Sequence, residues 1–182
     1  MANIKDQSFV SDDSNYGEFL STSNYELIGV QFVPSVTASV SQIILRMQRE
    51  GSPTGNIWAE IYSDNGDEPN AQIGADSEVV NAGTMATSWG AITFTFAAPI
   101  ALVEGTKYWI VLNGNSADSD ATNNTNWSSD STTPVYSHKG FASWNGAAWT
   151  VAEGTTHTPS FEEWYDDTTI IISQRDSSAY FL

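Results

Sequence analysis

Ile57-Trp-Ala-Glu-Ile-Tyr62 places Ile57, Ala59 and Ile61 on one side of an extended chain and Trp58, Glu60 and Tyr62 on the other. A period of two marks a strand with one face in a core, because successive side chains of an extended backbone point to opposite sides. The same pattern recurs on either side of this stretch. In Glu26–Phe32 the residues Ile28, Val30 and Phe32 face one way, with Gly29 and Gln31 facing the other. Between Ser39 and Arg49 the inward set is Ile43, Leu45 and Met47, and Ile44 breaks the pattern. Ile92, Phe94 and Phe96 repeat it once more. Lys107-Tyr-Trp-Ile-Val-Leu112 is apolar on both faces, as expected of a central strand covered twice, and Trp109 is read as core.

Turn chemistry separates these runs. Gly51-Ser-Pro-Thr-Gly55 has the composition of a hairpin loop joining the strands before and after it. Asn145-Gly146 predicts a type I′ hairpin between the runs 136–141 and 149–151. Residues 113–134 are rich in Asn, Asp, Ser and Thr and read as a long loop, shortened if a strand forms around Trp127. Thr168–Ser173 is the expected closing strand. About eight or nine short strands with turns between them predict an all-β fold, an antiparallel two-sheet β-sandwich of jelly-roll type. Residues 1–25 read as an N-terminal arm or first edge strand, 26–175 as the sandwich, and 176–182 as a tail ending Tyr180-Phe-Leu182.

Composition narrows the function. The chain has 182 residues with 22 acidic against 6 basic side chains, a formal charge of −16, and no cysteine. Nucleic acid is an unsuitable partner, because such affinity rests on neutralising phosphate charge. Membrane insertion is not expected either, since no run of about eighteen apolar residues occurs. Met1–Asp6 does not begin a charged and then apolar leader, so no secretory signal is expected. Without cysteine there are no disulfides, thiolate metal sites or thiol nucleophiles.

Four stretches carry a family resemblance: Ser52–Ser63, Asp67-Glu-Pro69, Leu102-Val-Glu-Gly-Thr-Lys-Tyr-Trp-Ile-Val-Leu112 and Ser143-Trp-Asn-Gly-Ala-Ala-Trp149. Together they resemble the jelly-roll domains, choice-of-anchor and carbohydrate-binding-module-like, of bacterial surface proteins and bacteriophage virion proteins. Family members usually carry anchors, signal peptides or enzyme domains, and none of these is expected from this sequence. The resemblance therefore implies a non-enzymatic bacteriophage virion structural protein: a capsid decoration protein, head fibre or tail-tip component, adhesive to host surface glycans. Its partners would be a capsid or tail protein and further copies of itself in a homo-oligomer, and its location the virion. The alternative is a free carbohydrate-binding module, bacterial in origin, that recognises a polysaccharide through loop aromatics. A small glycan-acting hydrolase is a third reading.

Candidate sites follow from residue chemistry. His138 and His157 are the two histidines, and no G-x-S-x-G or H-E-x-x-H motif accompanies them, so no catalytic residue is assigned. Glu162-Glu163 and Asp166-Asp167, around Trp164-Tyr165, read as a solvated acidic loop; glycoside hydrolysis needs two carboxyl groups about 5 to 10 Å apart across a cleft. No cofactor is required. Calcium is a candidate, because a hard cation takes six to eight oxygens, and Asp64, Asn65, Asp67 and Glu68 stand within one turn. A second oxygen-rich cluster is Asp118, Asp120, Asn123 and Asn124. Aromatic rings that could stack on sugar faces are Trp127, Tyr136, Trp144, Trp149, Trp164 and Tyr165, with Trp58 and Tyr62 on a different face. Phe9, Tyr16, Phe19 and Leu20, with the apolar tail, would anchor the chain to its own domain or to a neighbour.

Overall fold

The computed structural model describes residues 3–10, the backbone of 17–20, and residues 26–114, 120, 122–130, 136–154 and 158–166. Two antiparallel sheets enclose one apolar core, with no α-helix among the described residues. The first sheet runs in the order β1 (Asn3–Phe9), β14 (Phe161–Asp166), β4 (Ala38–Glu50), β10 (Asn124–Asp130) and β13 (Thr158–Pro159). In it β8 (Gly90–Leu102) also pairs with β4, and β2 (Gly17–Leu20) with β10. The second runs β12 (Trp149–Glu153), β11 (Lys139–Trp144), β3 (Leu27–Phe32), β9 (Tyr108–Asn113), β5 (Asn56–Asp64) and β6 (Pro69–Ile73), with β7 (Val80–Asn81) beside β5.

The alternation read from sequence decides which side chains fill the space between the sheets. Ile28, Val30 and Phe32, then Ile57, Ala59 and Ile61, then Ile110 and Leu112 line the second sheet. Against them pack Ile43, Leu45 and Met47 of β4 and Phe94 and Phe96 of β8. β9 lies between β3 and β5, the central place that its two apolar faces require.

Pairing differs from expectation at Gly51–Gly55 and at Glu162–Asp166, and burial differs at Trp127. Gly51–Gly55 is not a hairpin loop: β4 belongs to the first sheet and β5 to the second, so the segment carries the chain from one layer to the other. Each strand has one apolar face, and the two bury those faces against each other across the core instead of bonding edge to edge. Gly51 is required there. It has φ of +60°, and a Cβ on it would run into the Thr122 carbonyl.

The polar stretch after Asn113 condenses into β10, with Trp127 at its centre and wholly buried. Its indole N–H donates to the Ser160 carbonyl at 2.6 Å, which satisfies the one polar atom of a large apolar group. Trp127 is therefore a core residue with no face open to a ligand, which corrects its nomination as a platform.

Glu162–Asp166 is a strand, not a solvated loop, paired to β4 on one side and β1 on the other. Its buried residues are Phe161, Glu163 and Tyr165, and Glu162, Trp164 and Asp166 are half-buried. Tyr165 is thus no platform either. Burial pushes the Glu163 carboxyl up from 4.5 to about 8, aided by the Asp6 carboxylate at the bulge of β1. Asp6 in turn accepts from the Ser35 N–H at 2.8 Å and from its hydroxyl. The expected strand 168–173, Tyr16, Asp118, His157, Asp167 and the tail Tyr180–Leu182 lie outside the described residues, as do the side chains of Phe19 and Leu20.

Two outcomes follow. Trp127→Ala should destabilise the domain by about 3–5 kcal/mol, read as a lower urea midpoint, because it empties a closed core position. For Glu163 the folded state keeps its proton to about pH 8 while the unfolded chain gives it up near 4.5, so stability falls with rising pH across that window. Glu163→Gln should flatten this slope and raise the melting temperature at pH 8 far more than at pH 4.5; equal gains at both would show that the carboxyl is not held protonated.

Candidate functional site

The second sheet has an apolar patch on its outer side as well. Register places Trp149, Trp144, Leu27, Asn113 and Trp58 in one row across the strands, and Gln31, Trp109 and Tyr62 in another. Between them runs Val151, Ala142, Gly29, Val111 and Glu60. Trp109, Val111 and Ala142 are wholly buried here, packed against Leu27, Tyr62, Trp149 and Val151. So Trp109 is buried as expected, but in this outer cluster and not between the sheets. Gly29 makes the packing close: a Cβ there would press on the Ile110 carbonyl at 3.2 Å and a Val111 methyl at 3.3 Å.

The loop between β5 and β6 is pinned down onto this patch. Gln31 is 1% exposed, and its amide donates to Asp64 at 2.7 Å and to Asp67 at 3.1 Å. The Trp109 indole donates to the same Asp64 oxygen at 2.8 Å, and the other Asp64 oxygen accepts from the Asp67 N–H at 3.2 Å. Lys107 pairs with Asp67, which holds the Lys107 ammonium above its ordinary value, and the same pair with the Gln31 bond holds the Asp67 carboxyl below its own. Asp67 adopts φ of +69°, a conformation that aspartate tolerates better than most residues. The carboxylates expected to meet calcium thus face N–H groups and an ammonium. Among the described residues no three acidic or histidine side chains converge to hold a metal. Asp120 is likewise taken up locally, its carboxylate accepting from Thr122 and Asn123, bonds that hold its pKa well below the usual carboxylate range.

A cleft of about 460 Å³ opens where the pinned loop faces the β11–β12 hairpin. That volume lies within the span of about 300–1,000 Å³ common to small-molecule sites. One wall is Leu27, Tyr62, Trp144 and Trp149; the other is Asn65, Glu68, Pro69 and Asn70. Trp149 anchors the first wall. Its ring stands edge-on to Tyr62 at 6.2 Å and lies tilted against Trp144 at 5.6 Å, geometries that aromatic quadrupoles favour. Burial, with the Glu60 and Asp76 carboxylates, pushes the Tyr62 phenol up, so it stays a neutral hydroxyl at any ordinary pH. The hairpin has a turn other than type I′: Gly146 alone takes positive φ, and the Asn145 side chain accepts from the N–H groups of Ala147 and Ala148.

Of the aromatics nominated from sequence, Trp144 and Trp149 line the cleft. Tyr62, expected on a different face, joins them because the hairpin extends the very sheet that contains β5. Tyr136 is half-buried against Phe9 and Phe161, and its hydroxyl donates to the Gln31 carbonyl at 2.5 Å. Trp164 lies on the first sheet, away from the cleft, with its N–H on Glu162 and the Lys5 ammonium 5.9 Å over its ring. Trp58 donates to Glu60 at 2.6 Å, and Trp89 lines a separate apolar groove of about 340 Å³ with Val10 and Ile44. Gln31 was legible only as an outward polar residue. Its burial follows from standing beside Trp109 in a sheet whose outer face is covered.

Compared with family models, with curated proteins and with solved structures, the chain matches none of them.

Since Asp64 and Asp67 already hold protein donors, adding calcium or a chelator should leave the unfolding midpoint unchanged. A midpoint that rises with calcium would show these carboxylates exchanging their N–H partners for the ion. Replacing Gln31 by Leu should cost about 1–3 kcal/mol, because Asp64 and Asp67 each lose an amide donor and the Lys139 N–H loses its acceptor.

Proposed function

We propose that this chain is a non-enzymatic binding domain that takes a saccharide in the cleft between the β11–β12 hairpin and the β5–β6 loop. Its setting, on this reading, is a bacteriophage particle, as the adhesive face of a capsid decoration, head fibre or tail-tip protein. One observation carries the saccharide reading: one cleft is lined both by rings, Tyr62, Trp144 and Trp149, and by amides and a carboxylate, Asn65, Asn70 and Glu68. A sugar ring has the same two-sided character, with C–H faces that stack on aromatics and hydroxyl edges that need hydrogen-bond partners.

Binding is favoured over hydrolysis by the distribution of carboxyl groups. Bond cleavage asks for two of them facing each other across the substrate. Among the described residues lining the cleft Glu68 is the one carboxylate, and Asp64 and Asp67 beside it are engaged by Gln31, Trp109 and Lys107. The virion setting rests on the resemblance carried by 102–112 and 143–149; the same cleft would serve a free carbohydrate-binding module. Assembly separates the two settings. A particle component should form a homo-oligomer or bind a capsid or tail protein, whereas light scattering of a free module should give a monomer at every concentration.

Tryptophan fluorescence titrated with bacterial surface polysaccharides tests the cleft. A saturable shift is expected, weakened about tenfold or more in Trp149→Ala and Trp144→Ala, a loss of at least about 1.4 kcal/mol. Trp164→Ala should bind like the parent. A silent panel would remove the saccharide reading and leave a purely structural protein.

A further inference from the structure

We infer that the cleft accepts uncharged or amine-bearing saccharides and turns away those carrying carboxylate or phosphate groups. This rests on the reading of the cleft as a saccharide site, and adds the charge class of its ligand. The polar wall supplies three side chains. Asn65 and Asn70 each offer donors and acceptors, which suits hydroxyl and acetamido groups, while Glu68 only accepts, which suits a hydroxyl or an ammonium.

Among the described residues no Lys, Arg or His lines the cleft. Each described cation is placed elsewhere. Lys5 pairs with Glu162 on the first sheet, Arg46 lies on β4, and Arg49 donates to the carbonyls of Met85 and Gly51. Lys107 and Lys139, at the second sheet, face Asp67 and Glu153. Another carboxylate stands close to the aromatic wall: Glu26 reaches the turn of the β11–β12 hairpin, 3.5 Å from where a Cβ on Gly146 would lie.

An anionic ligand would therefore enter beside Glu68 with no cation among the described lining residues to pair it, in the field of a chain whose net charge is −16. Removing an unpaired charge from water is unfavourable, and like charges nearby add to that. The repulsion is screened over about 8 Å at physiological salt, so exclusion should be strongest at low ionic strength.

The test titrates the full chain with neutral oligosaccharides, glucosamine oligomers and galacturonate oligomers, at low and at high salt, following tryptophan fluorescence. Neutral and amine-bearing oligomers should bind, and galacturonate oligomers should not at low salt. Glu68→Gln should weaken the amine-bearing class about tenfold, as loss of a hydrogen bond to a charged group does, while sparing the neutral class. Glu68→Lys should admit the galacturonate oligomers. Galacturonate binding to the parent as tight as that of neutral oligomers, and lost in Trp149→Ala, would overturn the charge rule and leave the saccharide site standing. Silence from all three classes would overturn both.

Discussion

The amide of Gln31 is the tie on which the outer side of this molecule depends. Its nitrogen donates to Asp64 and Asp67, its oxygen accepts from the Lys139 N–H at 3.1 Å, and its main-chain carbonyl accepts from Tyr136. One side chain in β3 thereby joins the β5–β6 loop to the start of β11, segments far apart in sequence. A buried amide left without these partners would be costly, so the network is held together by the same desolvation that makes its loss expensive. With the loop fixed, Asn65, Glu68 and Asn70 face the rings of the hairpin, and a cleft exists where a flat sheet would otherwise stand.

Why the loop folds down at all follows from the central strand. β9 is apolar on both faces, and only one of them meets the other sheet. Trp109 and Val111 on the outer face need cover, which Tyr62, Trp149, Val151 and the loop supply. The Trp109 indole adds a directional requirement, met by Asp64. Burying the outer rings and building the cleft are thus one event, and the acidic residues of the loop act as acceptors for the sheet.

The inter-sheet core was legible in detail: Ile28, Val30 and Phe32, Ile43, Leu45 and Met47, and Ile57, Ala59 and Ile61 all face inward as their alternation requires. The hairpin at Asn145-Gly146 was legible too, although its turn has another geometry. Half of the site could be named in advance, as Trp144 and Trp149 on one side and Asn65 and Glu68 on the other, but as separate features with different purposes. Trp127 and Tyr165 were misread because a ring in a polar stretch looks exposed, and what buries each is a neighbouring strand far away in sequence. Glu163 was misread for the same reason, since a pair of acids gives no sign that one of them faces inward.

By itself the sequence determined that the chain forms strands, which face of each strand is apolar, and that the surface is strongly acidic. These are local properties, set by side-chain volume and by the two-residue period of an extended backbone. The tertiary structure alone decided which strand lies beside which, that Gly51–Gly55 passes between layers, and that Tyr62 meets Trp149 in the wall of a cleft. Strand partners are chosen by the burial of whole faces and by hydrogen bonds such as those of Gln31, made between residues remote along the chain, and a periodic pattern has no record of which distant face will cover it.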